Sequence, residues 1–331
     1  MSVISLVSGR AVTGLKTYFA REIVNNSLAF TAVRHFSVTQ SRNMKLIQFS
    51  YKSNPNEIRA GYVDGDKVVD INKADSTLPV TLLEILKRDG IEKVKQLKSK
   101  SPATIPFSDV TLQAPITGMD KVLCIGLNYK DHCEEQKLTP PAVPMIFGKF
   151  ASCVVGPCDA VKLRTNVTRK VDWEVELCLV IGKTASNVKA ANAKDYILGA
   201  TVAQDISARD WQKEKNGGQF LLGKAMDTFC PIGPWIVTSD ELGDPETLNI
   251  QCSVNGTLKQ KSNTNQLVHK IPDVIERISS LMTLLPGDIL LTGTPGGVGM
   301  YRSPPEYLKP GDVIASEIQK IGLLETRVEE F

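Results

Sequence analysis

The stretch "VDWEVELCLVIG", residues 171–182, holds two patterns end to end. Val171, Trp173, Val175 and Leu177 alternate with Asp172, Glu174 and Glu176, the period of a half-buried strand. From Cys178 the run "CLVIG" is continuously apolar, as in a strand covered on both faces. The acids therefore stand where a strand enters the core. On one strand face, neighbouring acids would lie about 6.5 to 7 Å apart and repel by roughly 2.5 kcal/mol per pair at an effective dielectric near 20. Such a row needs bulk water or a cation. A solvated strand face is the simplest reading of the pattern taken alone. If a cation is the answer, Glu174→Gln should leave the metal-free fold intact or slightly stabilised.

The rest of the composition narrows the classes. A chain of 331 residues with 42% hydrophobic and 23% charged residues and a net charge of +3 is an ordinary globular protein, able to bury one large core or two modest ones. No Lys/Arg block with interleaved aromatics points to nucleic acid, and no apolar run reaches the roughly 18 residues of a membrane span. The seven cysteines form no Cys-x-x-Cys pair and are odd in number, which suits reduced thiols in a reducing compartment. Residues 1–43 are set apart: Arg10, Lys16, Arg21, Arg34 and Arg42 face a single acid, Glu22, amid many Ser and Thr. That composition is expected of a mitochondrial transit peptide, with "RHFS" (34–37) as the cleavage region.

From Met44, "MKLIQFSY" and "IRAGYVDGDKVVDIN" read as strands joined by a turn at Asp64-Gly65. An amphipathic helix is expected over 81–98, broken by Gly90, and the proline-bearing stretch 101–116 ends a small N-terminal module at 44–116. The main domain, 117–331, is expected to be rich in strands: "KVLCIG" (121–126), a hairpin about Asn255-Gly256, "DILLT", and the C-terminal run from Asp312. The clearest helix is "IPDVIERISSLMTLL" (271–285), with Pro272 in its first turn and Pro286-Gly287 closing it. The balance favours a strand-rich α+β fold over a doubly wound one.

Four further features carry chemistry. Asp205, Arg209 and Gln212 fall at one face of a helical spacing, and Asp205 together with Glu174 and Glu176 would make an all-oxygen site suited to Mg2+, Mn2+ or Ca2+ rather than zinc. The bland alternative is an Asp205–Arg209 surface pair. His132 and Glu135 share a face on a helical turn, where the carboxylate raises the basicity of the imidazole and fixes its tautomer. Lys224 sits between two apolar runs, and beside a metal its charged form would be disfavoured. The glycine-rich "TGTPGGVG" (292–299) has neither a dinucleotide-binding nor a P-loop spacing, but its N–H groups and Thr294 could hold a carboxylate.

Taken in order, "GLNYKDH", "DWEVELCLVIGK", "DISARDWQ", "GKAMDTFCPIGPWIVT", "VNG" and "PGDILLTGTPGGVG" resemble the fumarylacetoacetate hydrolase family over about residues 118–331. The resemblance implies a mixed β-sandwich or roll that commonly forms homodimers. It implies Glu174, Glu176 and Asp205 as metal ligands, His132 and Glu135 as a proton-handling dyad, and Lys224 as the enolate partner. Arg209, Gln212 and Thr294 would bind a small 2-oxo acid. The family's founding hydrolase has a further metal-binding acid seven residues before its catalytic histidine, where this chain has Ile125. The expected activity is therefore Mg2+-dependent oxaloacetate tautomerisation in the mitochondrial matrix. Acylpyruvate hydrolysis and oxaloacetate decarboxylation are the alternatives within the family, and a silent metal-binding scaffold is the alternative outside enzymology.

Overall fold

At Trp173 and Glu174 the chain leaves regular strand geometry. Val171–Asp172 is a two-residue strand of its own, paired with Ser207–Ala208, and the long strand runs from Val175 to Ile181. The alternating acids thus do not share one strand face, because the backbone turns between Asp172 and Glu176. A computed structural model provides this description, which covers residues 44–331; the expected transit peptide lies outside them.

Val175–Ile181 lies inside a large mixed sheet. On one side it pairs with Ile197–Gln204, then in order Cys230–Thr238, Lys45–Tyr51, Asn54–Asp64, Lys67–Asp70 and Ile105–Pro106. On the other side come Ile289–Leu291, Val122–Gly126 and Met145–Lys149. Strands from the segment 44–116 therefore extend the main sheet itself, through the antiparallel pairing of Lys45 with Val237 and Leu46 with Ile236.

Every residue of Val175–Ile181 is buried, as the apolar run requires. Val175, Leu177, Leu179 and Ile181 share a core with Ile250, Val254, Ile314, Leu324 and Val328. Those partners belong to a second sheet, ordered Thr257–Asn263, Asn249–Val254, Val313–Ile318, Gly322–Glu330 and Ala160–Leu163. Cys178 and Val180 point the other way, into a core with Leu82, Ile85, Leu86 and Val94. The strand-rich α+β architecture expected from sequence is the one observed.

Local signals explain most element ends. The Thr81 side chain accepts the Glu84 N–H and starts Leu82–Lys87, and Ile91–Lys98 begins after Gly90. The first hairpin turns on Gly65 and Asp66, one residue later than expected, with Gly65 at φ 61°. Asn255 and Gly256, at φ 51° and 75°, make the second hairpin turn. The helix Ile271–Leu281 stops short of Leu285 because Leu284 leaves it to bond Ala185 in both directions at 2.9 Å.

The ladder fixes where chemistry can occur. Val122–Gly126 and Ile289–Leu291 run parallel, while Val175–Ile181 runs against both Ile289–Leu291 and Ile197–Gln204. The start of Val175–Ile181 therefore meets the ends of the other three strands along one sheet edge. Val175 pairs with Gln204, which sets Glu174 beside Asp205, and the Asp205 N–H donates to the Glu174 carbonyl at 2.9 Å.

Close approach of two strands depends on Gly199, where an added Cβ would lie 2.1 Å from the Val237 carbonyl oxygen. Neither backbone can yield without breaking the ladder. Gly199→Ala should destabilise the fold by about 2 kcal/mol or more, the scale of overpacking in a core. A chemical-denaturation midpoint equal to wild type would contradict this strand spacing.

Candidate active site and metal centre

Glu174, Glu176 and Asp205 each place a carboxylate oxygen within 4.8 Å of the others, and all three are buried. Around them stand three buried cations. Lys224 Nζ lies 2.7 Å from Glu174 Oε2 and 2.7 Å from Asp205 Oδ2. Arg209 Nη1 meets Glu174 Oε1 at 2.7 Å, and its Nε donates to Asp172 Oδ2 at 2.8 Å. Lys149 Nζ lies 2.8 Å from Asp205 Oδ1 and donates to the carbonyls of Phe229 and Ile206 at 2.8 and 3.2 Å, and to that of Lys224. With Asp172, four buried carboxylates face three buried cations.

The ionisation of these groups follows from their neighbours. Burial pushes the Glu174 carboxyl up, but Lys224 and Arg209 outweigh it and hold the group at about 2. Glu176 has no ion-pair partner among the described residues; burial, then Asp205 and Glu174, push its carboxyl well above the usual range. For Lys224, burial disfavours the charge, yet Asp205 and Glu174 more than restore it and raise the ammonium's pKa. Without a metal ion, then, the two carboxylates that contact Lys224 directly favour its charged form; the expectation of a disfavoured charge concerned a lysine beside a metal.

Two features fit a divalent cation. Asp205 Oδ1 has no partner beyond its ion pair with Lys149, and Glu176 accepts the Gly293 N–H but has no ion-pair partner among the described residues. An all-oxygen donor set with one more carboxyl than it has cations suits a hard cation such as Mg2+ or Mn2+. Glu174, Glu176 and Asp205 are the residues that would hold it.

Asp172 belongs elsewhere. It accepts the N–H groups of Gly299 and Met300 at 2.7 and 3.0 Å as well as the Arg209 guanidinium. The glycine-rich loop repeats this: Gly293 N–H donates to Glu176, Gly296 to Asp131 and Gly297 to Glu135, at 2.7, 3.2 and 2.9 Å. Its amides are turned toward the protein's own acids. The Thr294 hydroxyl donates to the Val175 carbonyl at 2.9 Å and accepts from Gln260 at 2.8 Å, while Thr294 still lines the cavity.

The helical spacing expected for Asp205, Arg209 and Gln212 does not describe the backbone. Asp205 follows the strand Ile197–Gln204, and the helix is only Arg209–Lys213. The residues meet nonetheless: Arg209 Nη1 donates to Gln212 Oε1 at 3.0 Å, and Arg209 pairs with Asp172 and Glu174 instead of Asp205. The helix Lys130–Glu135 brings His132 Nδ1 to 3.0 Å from Glu135 Oε2.

One cavity of about 180 Å3 is lined by Glu174, Glu176, Lys224, Arg209, Gln212, His132 and Thr294, with Ile125 at its wall. It has room for an acid of a few carbons. Arg209 Nη2 is buried there without a hydrogen-bond partner, a donor left for an anion. Sequence reasoning missed Lys149, Gln136 and Tyr301. Lys149 carries the same signal as Lys224, a lysine between the apolar runs "MIF" and "FASCVV".

The family model described as fumarylacetoacetate (FAA) hydrolase C-terminal matches residues 121–329. The chain belongs to the fumarylacetoacetate hydrolase family. Within that family it is 48% identical over 291 residues to a Rattus norvegicus protein named oxaloacetate tautomerase Fahd2a, mitochondrial, covering 87% of this chain and 92% of the other. It is 43% identical over 316 residues to the Xenopus laevis protein named oxaloacetate tautomerase fahd2, mitochondrial, covering 95% and 99%. Among solved family structures, maleylpyruvate hydrolase from Sphingobium sp. SYK-6, in complex with manganese(II) ion and pyruvate, superposes with a TM-score of 0.71 at 32% identity, covering 87% of this chain and 99% of that one.

Metal-free stability should separate the family acids. Glu174 is ion-paired and held low, so Glu174→Gln should destabilise the metal-free protein, contrary to the expectation drawn from repulsion in the strand. Glu176→Gln should stabilise it. A carboxyl whose folded pKa is raised favours folding below its unfolded pKa and loses that contribution as pH rises through the folded value. Glu176→Gln should therefore remove a decline in stability as pH rises above the ordinary glutamate range, measured by melting in chelator. Equal pH slopes in the two proteins would disprove the buried, unpaired state of Glu176.

Proposed function

We propose that this protein is a metal-dependent oxaloacetate tautomerase of the mitochondrial matrix, interconverting the enol and keto forms, with Mg2+ as its working ion and Mn2+ or Ca2+ as substitutes. The observation that carries the reading is that Glu174, Glu176, Lys224 and His132 line one cavity of small-acid size, with Asp205 completing the acidic triad behind them and Glu135 bonded to His132. The names of relatives 43% to 48% identical over most of the chain support the same activity. The family resemblance further supports a homodimer.

A divalent ion at Glu174, Glu176 and Asp205 would supply Lewis-acid charge to the keto and carboxylate oxygens of a 2-oxo acid. The chain's residues do the rest. Arg209, through its unpartnered Nη2, and Gln212 orient the substrate carboxylates, with Thr294 closing that end. Lys224, held as an ammonium, steadies the negative charge that develops on the enolate oxygen. In the enol-to-keto direction a proton leaves the enol oxygen and one is delivered to the neighbouring carbon. His132, oriented by Glu135, accepts the first, and Lys224 can donate the second. Ile125 in the cavity wall supplies no oxygen ligand, which weakens the case for the hydrolytic chemistry of the founding enzyme.

The decisive assay gives the purified full-length protein enol-oxaloacetate with and without Mg2+, following enol decay and pyruvate release separately. Accelerated decay without pyruvate is expected. Lys224→Ala should depress every activity, whereas His132→Ala should remove any acylpyruvate hydrolysis by the 10²- to 10⁴-fold typical of a general base and spare part of the tautomerase rate. Enol decay at the buffer rate alongside rapid acylpyruvate cleavage would make the protein a hydrolase and sink the proposal. For the address, residues 1–43 fused to a reporter should carry it into mitochondria; a cytosolic reporter would refute that part.

A further inference from the structure

His132 has a second neighbour that the mechanism above does not use. Its Nε2 lies 2.9 Å from Gln136 Nε2, the amide oxygen of Gln136 accepts from the Tyr301 hydroxyl at 2.7 Å, and that hydroxyl accepts from Lys213 Nζ at 2.6 Å. Lys213 is exposed, Tyr301 and Gln136 are half-buried at the cavity, and His132 is buried. The four groups run from the surface to the imidazole.

The direction of this chain is set by chemistry at both ends. An ammonium can only donate, so the Tyr301 oxygen receives its proton and sends its own single proton onward to the Gln136 oxygen. Gln136 must then present its NH2 group to His132, which requires a lone pair on Nε2. At the other end, the Glu135 carboxylate can only accept, and it takes Nδ1–H at 3.0 Å while its second oxygen holds the Gly297 N–H at 2.9 Å. Both ends demand the same state: neutral imidazole, proton on Nδ1, bare Nε2. An imidazolium would put two donors face to face.

We propose that Lys213, Tyr301 and Gln136 form a one-way hydrogen-bond relay that sets the tautomer of His132 and covers its Nε2 until substrate takes the place of the Gln136 amide. All three are positioning residues, since they act through His132. The inference rests on the reading of His132 as the proton acceptor, and it adds why that nitrogen is ready to accept. Without the relay only a 3.4 Å bond from the Gln136 NH2 group to the His132 carbonyl opposes reversal of the amide, and reversal would offer its oxygen, which favours a proton on Nε2 and a base already filled.

The test is magnetic resonance of the full chain with histidine labelled with heavy nitrogen, where the sequence holds only three histidines, His35, His132 and His269, and His132→Gln assigns the signal. Wild type should show His132 protonated on Nδ1 alone. Gln136→Glu, which sets an acceptor against Nε2, should convert the signal to the doubly protonated form and slow enol decay roughly tenfold or more, the scale on which groups supporting a functional histidine act. Tyr301→Phe should give mixed tautomers and a lower kcat with KM little changed, and exposed Lys213→Met should act in the same direction. A wild-type signal with the proton on Nε2, or His132 signals unaltered in Gln136→Glu and Tyr301→Phe, would overturn the relay. Should Gln136→Glu fail to fold by circular dichroism, Tyr301→Phe and Lys213→Met decide the matter. A full tautomerase rate in His132→Gln would remove His132 from the proposed mechanism, while the tautomer measurement would still judge the relay by itself.

Discussion

Asp205 is where the structure's opposing charges meet. Its two oxygens are approached by different lysines, Oδ1 by Lys149 and Oδ2 by Lys224, and its backbone N–H is tied to Glu174. Charges buried this deeply are tolerated only when paired and hydrogen-bonded. Lys149 meets that demand through three carbonyls, those of Ile206, Lys224 and Phe229, so one ammonium joins the strand end at Asp205 to the helix that carries Lys224. Removing either partner would leave an unpaired ion in the core. The acid triad is thus embedded in the fold's own electrostatics.

The sheet contributes by bringing four strand ends to a single edge, and the second sheet contributes by locking them. Gln260, from the hairpin strand Thr257–Asn263, accepts the Val175 N–H at 3.0 Å and donates to Thr294 and to the Pro295 carbonyl, both at 2.8 Å. One side chain therefore spans the start of the central strand and the glycine-rich loop. The proposed chemistry would be housed in this junction between layers rather than in any one element.

What could be read from the residues alone tracks the distance over which their partners lie. Alternation, the Asn255-Gly256 turn and Pro272 are local signals, and they located the strands, the hairpin and the helix start. His132–Glu135 was legible because both lie on one turn of one helix. Glu174, Glu176 and Asp205 were brought together by family resemblance, since the ladder pairing Val175 with Gln204 is invisible in spacing. Asp172 misled because it continues the alternation, and only the strand break after it turns its carboxylate toward Gly299. Lys149 and Tyr301 stayed hidden for the same reason: the partners of Lys149 run from Asp205 to Phe229, and those of Tyr301 are 88 and 165 residues away.

The glycine-rich loop changes meaning in this light. Its N–H groups are oriented by Glu176, Asp131, Glu135 and Asp172, acids drawn from two separate stretches of chain. A side chain at Gly297 would meet the Lys259 carbonyl at 2.2 Å, and one at Gly299 the Glu306 carbonyl at 2.1 Å. These glycines are small because protein presses on them from behind. The loop is the mould in which the acids are cast, so its sequence and theirs should drift together as the family diverges, and a graft of the acids onto another scaffold without this loop would carry the charges and lose their aim.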